Sequence, residues 1–128
     1  MIATRRIGRI FAITSLVLAV QAVIARDLVA VEAPHHHSLH IDQSTVQRAG
    51  AVVSLTYVLG NPPGSNAIEL TLNCAERTYA LAKVYVYSAP LAEGTVTMVS
   101  TPPASERTPK KIPVGTTWEI LARKVCDQ

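Results

Sequence analysis

Cys74 and Cys126 are the only cysteines in the 128-residue chain, and they lie far apart. What two cysteines do depends on the compartment. The chain opens with Arg5, Arg6 and Arg9, followed by an apolar run from Ile10 to about Val20 and small residues at Val23 and Ala25. A basic start, a short apolar stretch and small residues before the cut make a secretory signal peptide over residues 1–25, cleaved after Ala25. Arg5-Arg6 is a poor twin-arginine signal, because Ile7-Gly8-Arg9 follows instead of an apolar continuation. The apolar run is shorter than the ~20 residues that span a bilayer, so no stable membrane anchor is expected after cleavage. In an exported chain an even cysteine count implies a disulfide. Pairing Cys74 with Cys126 closes a loop of about 50 residues, which the chain-entropy model values at roughly 4 kcal/mol. Small domains have a net stability of about 5–10 kcal/mol, so this one link is expected to decide whether the domain stays folded.

Cleavage also changes the electrostatics. The precursor has 12 basic and 9 acidic residues. Losing Arg5, Arg6 and Arg9 leaves nine of each. A neutral mature chain lacks the basic face that nucleic-acid binding requires, so no nucleic-acid partner is expected.

Residues 26–38 read as a His-containing leader, either a short edge strand or a tail. Beyond it, residues 39–128 form one domain. Leu39–Asp42 reads as a short strand, with a turn at Asp42-Gln43-Ser44-Thr45 and another at Arg48-Ala49-Gly50. Ala51–Leu59 is rich in β-branched and aromatic residues and reads as a strand. Residues 60–66 read as a surface loop. From Ile68 to Cys74, apolar and polar residues alternate with period two, placing Cys74 on a buried face. Tyr79–Ser88 reads as a long strand with Ala80, Ala82, Val84 and Val86 on one face. Tyr79, Leu81, Lys83, Tyr85 and Tyr87 share the other. In Thr95–Thr101, Val96 and Met98 are expected on one face. Four prolines make Pro102–Pro113 a loop. Thr116 and Glu119 form a capping box, and Trp118, Leu121, Ala122 and Val125 make one apolar helical stripe behind it. Arg123 and Lys124 complement the C-terminal end of the helix dipole. The expected fold is α+β: an antiparallel sheet of about five to six strands, one C-terminal helix packed on it, and one disulfide.

Several blocks in this order resemble the surface-adhesin protein E family of bacterial exported proteins. Leu39-His40-Ile41-Asp42-Gln43-Ser44-Thr45-Val46 resembles an early family segment, with His40 where an aromatic usually stands. Leu72-Asn73-Cys74-Ala75, the strand Tyr79–Tyr87, Pro113–Glu119 and Val125-Cys126 resemble later blocks. The likeness spans about residues 39–127. It implies the same disulfide, the sheet-and-helix fold, and an exported, non-enzymatic protein. The family's namesake is an adhesin that binds host extracellular-matrix and serum proteins. The namesake is lipid-anchored, whereas this chain has no lipobox cysteine directly after the apolar run.

Four groups of residues could carry function. Tyr79, Lys83, Tyr85 and Tyr87 could form a binding face for a protein ligand, or lie under the helix as core. His35, His36, His37 and His40 could hold Zn²⁺ or Ni²⁺, or be an adventitious histidine run. Ser38, His40 and Asp42 have hydrolase residue types, but no nucleophile elbow surrounds them. Lys110-Lys111 reads as a solvated pair. The reading that follows is a non-enzymatic binding protein, periplasmic or extracellular. The alternatives are a periplasmic structural or envelope protein, or a metal-binding protein using the histidine run.

Overall fold

A computed structural model describes residues 26–34, 36 and 38–127. The signal peptide of the sequence reading lies outside the described residues, as do His35 and His37. Seven antiparallel strands form one sheet: β1 (Leu28–Ala30), β2 (Leu39–Ala49), β3 (Val52–Asn61), β4 (Gly64–Asn73), β5 (Thr78–Ala89), β6 (Glu93–Ser100) and β7 (Lys110–Lys111). The first six follow one another in space, and β7 pairs with the start of β5 beyond the end of β6. Among the described residues there are also two α-helices, α1 (Ala104–Arg107) and α2 (Thr117–Cys126).

The sheet is a meander because its connections are short. Gly50, with φ of +60°, turns β2 into β3. The stretch 60–66, expected as a loop, is instead a tight hairpin. β3 runs to Asn61, β4 starts at Gly64, and these two residues pair. Gly64 must be glycine there, because a Cβ would lie 2.3 Å from the Tyr87 carbonyl oxygen on β5. At the other end of β4, the Asn73 side chain accepts the backbone N–H groups of Ala75 and Glu76 at 3.1 and 3.0 Å. The side chain thereby acts as the turn's own hydrogen-bond partner.

Strand β2 is longer than the sequence indicates. Asp42-Gln43-Ser44-Thr45 is an irregularity within one strand, not a turn between elements. The pairing register with β3 shifts between Asp42 and Gln47. Asp42 Oδ1 accepts from Ser44 N–H at 3.1 Å, the local bond that made the segment look like a turn. Residues 28–30, open between strand and tail, form edge strand β1 against His40–Asp42 of β2. The proline-rich stretch after β6 holds α1 and β7.

Helix α2 forms as expected. Thr116 Oγ1 accepts Glu119 N–H at 3.4 Å, while Glu119 Oε2 reaches back to Gly115 N–H at 3.3 Å. Arg123 pairs with Glu119 one turn on, at 2.7 Å. Leu121, Ala122 and Val125 are buried on Ile41, Val53, Leu55, Leu70 and Leu72 of the sheet. The far end of the helix is tied down by the Cys74–Cys126 disulfide, with Cα atoms 5.5 Å apart across 52 residues of sequence. The other sheet face has only a small cluster. There the turn Pro90–Ala92 folds back over β3 and β4, setting Ala92 on Val58 and Ala67.

Candidate functional site: the sheet face away from the helix

The tyrosines of β5 do not share one face. The β4–β5 register jumps between Glu69, opposite Lys83, and Leu70, opposite Leu81. Ala82 is the extra residue, and such a bulge reverses which residues point to which side. Tyr79 and Leu81 therefore point under α2, where Tyr79 is buried and stacks on Trp118 with centroids 4.1 Å apart. Lys83, Tyr85 and Tyr87 point away from α2, and both tyrosines are half-buried against the Val58–Ala67 cluster. Tyr79 is core, and the other three stand on the face away from α2.

A second bulge adds neighbours that the sequence did not reveal. Between Val86 and Tyr87 the β5–β6 register shifts again. Val99 lies opposite Tyr85 and Val96 opposite Tyr87, while Met98 lies opposite Val86. Val96 and Met98, expected on one face, are thus on opposite faces. Val96 and Val99 are 42% and 52% exposed, unusually high for valines in a strand. Together with Lys83, Tyr85 and Tyr87 they make one patch on adjacent strands.

Polar contacts hold the patch in place. Tyr85 Oη donates to Glu69 Oε1 at 3.2 Å. Desolvation first, and then the Glu69 carboxylate, raise the Tyr85 pKa above its ordinary value. Tyr87 Oη accepts from Arg26 at 2.6 Å, and the guanidinium carbon sits 5.3 Å from the Tyr87 ring centre. Arg26 also pairs with Asp42 at 3.5 Å. Asp42 is 1% exposed and accepts Asp27 N–H, Ser44 N–H and Ser44 Oγ–H, at 3.1, 3.1 and 2.5 Å. These bonds anchor the N-terminal segment beside Tyr87. Toward β2, the same face has a shallow depression of about 440 Å³ whose lining includes Ser44, Thr45, Ser54, Thr56, Glu69 and Thr71.

The remaining candidates are placed apart from this patch. His36 Nε2 lies 2.6 Å from Thr117 Oγ1 at the start of α2. His40 is on β2 opposite Val58, and its buried Nδ1 has no hydrogen-bond partner among the described residues. Among the described residues, no group of three or more histidine, cysteine, aspartate or glutamate side chains could hold a metal ion. Ser38, His40 and Asp42 form no relay, because the Asp42 carboxylate is taken up by Arg26, Asp27 and Ser44. Lys110 pairs with Glu106 at 2.9 Å and lies 5.5 Å from the Tyr79 ring centre. Lys111 Nζ donates to the Glu76 carbonyl at 2.8 Å.

A meander sheet with one C-terminal helix clasped to it by a disulfide defines a class of small α+β domain, and comparison with known proteins gives its family. Residues 28–127 match the family model of surface-adhesin protein E, and the chain belongs to that family. Two structures of Haemophilus influenzae protein E align with a TM-score of 0.61 at 15% identity, over 80% of this chain and 89% or 92% of theirs. A structure of protein E from non-typeable Haemophilus influenzae aligns with a TM-score of 0.58, again at 15% identity, over 77% of this chain and 75% of that one. At such identity the likeness is one of fold. No curated protein matches the sequence. Among the described residues, no helix is long and apolar enough to cross a membrane.

Proposed function

We propose that this is an exported, non-enzymatic binding protein that holds a protein ligand on the face away from α2, at the patch of Lys83, Tyr85, Tyr87, Val96 and Val99. Membership of an adhesin family supports binding as the activity. The observation that carries the location is the pairing of Tyr85 with Val99 and Tyr87 with Val96 on the face away from α2. Exposed apolar side chains beside fixed aromatics suit a desolvated contact centre, and Lys83 with Glu69 supplies polar groups at its edge. The tyrosines are held by Glu69 and Arg26 before any ligand arrives, so little ordering entropy is lost on contact. The partner this reading favours is an extracellular-matrix, serum or envelope protein.

The test is binding of the purified protein to immobilised matrix and serum proteins. The expected result is saturable binding to at least one of them, with affinity falling by about tenfold or more in a Lys83→Glu, Tyr85→Ala double variant. Circular dichroism of the variant should match the parent. Undiminished binding by a folded double variant contradicts the proposed location.

A further inference from the structure

The opposite side of the molecule holds a feature that the protein-binding patch does not use. Beside the first turns of α2, a cleft of about 320 Å³ opens between the helix and β3. Tyr57 and Leu59 of β3 face Trp118 and Ile120 of α2, and Thr117 and His36 meet at its rim. This volume is at the lower end of the range of about 300–1,000 Å³ found for ligand pockets, and the walls are mainly apolar.

The walls are also fixed. Trp118 stacks on Tyr79 with an interplanar angle of 15°, and its indole N–H donates to Tyr57 Oη at 3.2 Å. Tyr57 is 2% exposed. Its oxygen accepts that one bond, while its own proton has no acceptor among the described residues. A phenol donor is therefore left over beside an apolar cleft, where an unmade hydrogen bond is costly. Burial lifts the Tyr57 pKa to about 12, so the group remains a donor at any ordinary pH. The start of α2 offers little to an anion. Glu119 N–H is bonded to Thr116 Oγ1, Gly115 N–H is bonded to Glu119 Oε2, and the Glu119 carboxylate repels negative charge.

We propose that this cleft binds a small neutral apolar molecule carrying one hydrogen-bond acceptor, with its body between Leu59, Trp118 and Ile120 and its acceptor on the Tyr57 hydroxyl. Esters and tertiary amides have this chemistry. The cleft is separate from the patch on the other face, so its occupancy and protein binding are independent.

Trp118 is the sole tryptophan, so its single indole N–H resonance reports on the cleft directly. The probes are methyl benzoate, toluene, which lacks the acceptor, and benzoate, which carries a charge. Methyl benzoate should shift the resonance saturably, about three- to tenfold tighter than toluene, the increment of one neutral hydrogen bond. Tyr57→Phe should abolish that preference while leaving toluene bound. Leu59→Phe, which keeps Tyr57 and fills the cleft, should weaken both neutral probes. The proposal is overturned if neither neutral probe gives a saturable shift, if benzoate binds as tightly as its ester, or if Tyr57→Phe keeps the ester preference. It also falls if the resonance responds only to a macromolecular partner.

Discussion

At the scale of single residues, two buried polar groups do different work on the two faces. Asp42 is an acceptor surrounded by donors from three residues, and it ties Arg26 and Asp27 to the sheet. Asp42→Ala would strand those donors, so a loss of about 3 kcal/mol is expected in denaturant unfolding. A change below about 0.5 kcal/mol, the range of an ordinary surface substitution, would show the cluster to be idle. Tyr57 is a donor held neutral by its surroundings. Its pKa rises from 10.0 to about 12, chiefly through burial. Between those values the unfolded chain has released the proton and the native chain keeps it, so stability falls as pH rises. The expected loss between pH 9 and 12 is roughly 2 kcal/mol more for the parent than for Tyr57→Phe, which has no proton to lose. Parallel alkaline unfolding of the two proteins would contradict this.

At the scale of elements, the long periodic segments were legible and the breaks in period were not. Trp118, Leu121, Ala122 and Val125 predict the buried stripe of α2, and three of them are buried as that spacing requires. Ile68, Leu70 and Leu72 likewise predict the inner face of β4. On β5, simple alternation put Tyr79 with Tyr85 and Tyr87, and the bulge at Ala82 undoes that. A bulge is a mismatch between two strands, so one strand's sequence does not contain it. Ala82 has no distinguishing side chain, and no glycine marks the site. The same holds for the shift that sends Val96 and Met98 to opposite faces. The Asp42-Gln43-Ser44-Thr45 segment fails differently. Its turn-forming side chains make their local bonds, yet β2 continues because β3 supplies partners on both sides of the irregularity. Half of the candidate patch was therefore visible, as Lys83, Tyr85 and Tyr87. Its valines and Arg26 came from pairing between strands and from the folding back of the N-terminal segment. The link between α2 and β4 was legible from cysteine count and export signal alone. Its 52-residue separation implies that reduction removes roughly 4 kcal/mol. A melting temperature unchanged by dithiothreitol would show that the helix packing suffices without it.

At the scale of the whole molecule, one sheet has two unlike faces. The first is covered by α2, and its disulfide makes it the structural side. The second is only partly covered, by the Pro90–Ala92 turn and the N-terminal segment, and it leaves aromatic and aliphatic side chains in solvent. A small adhesin-family domain can meet a partner this way without moving its core. The most direct test is site-specific photo-cross-linking to a bound matrix or serum protein. A benzophenone side chain at Tyr85 samples the patch, and one at Arg123, exposed on α2, samples the covered side. Adducts from position 85 and none from position 123 are the predicted result. Adducts from position 123 alone would place the ligand on the helix side and contradict the account.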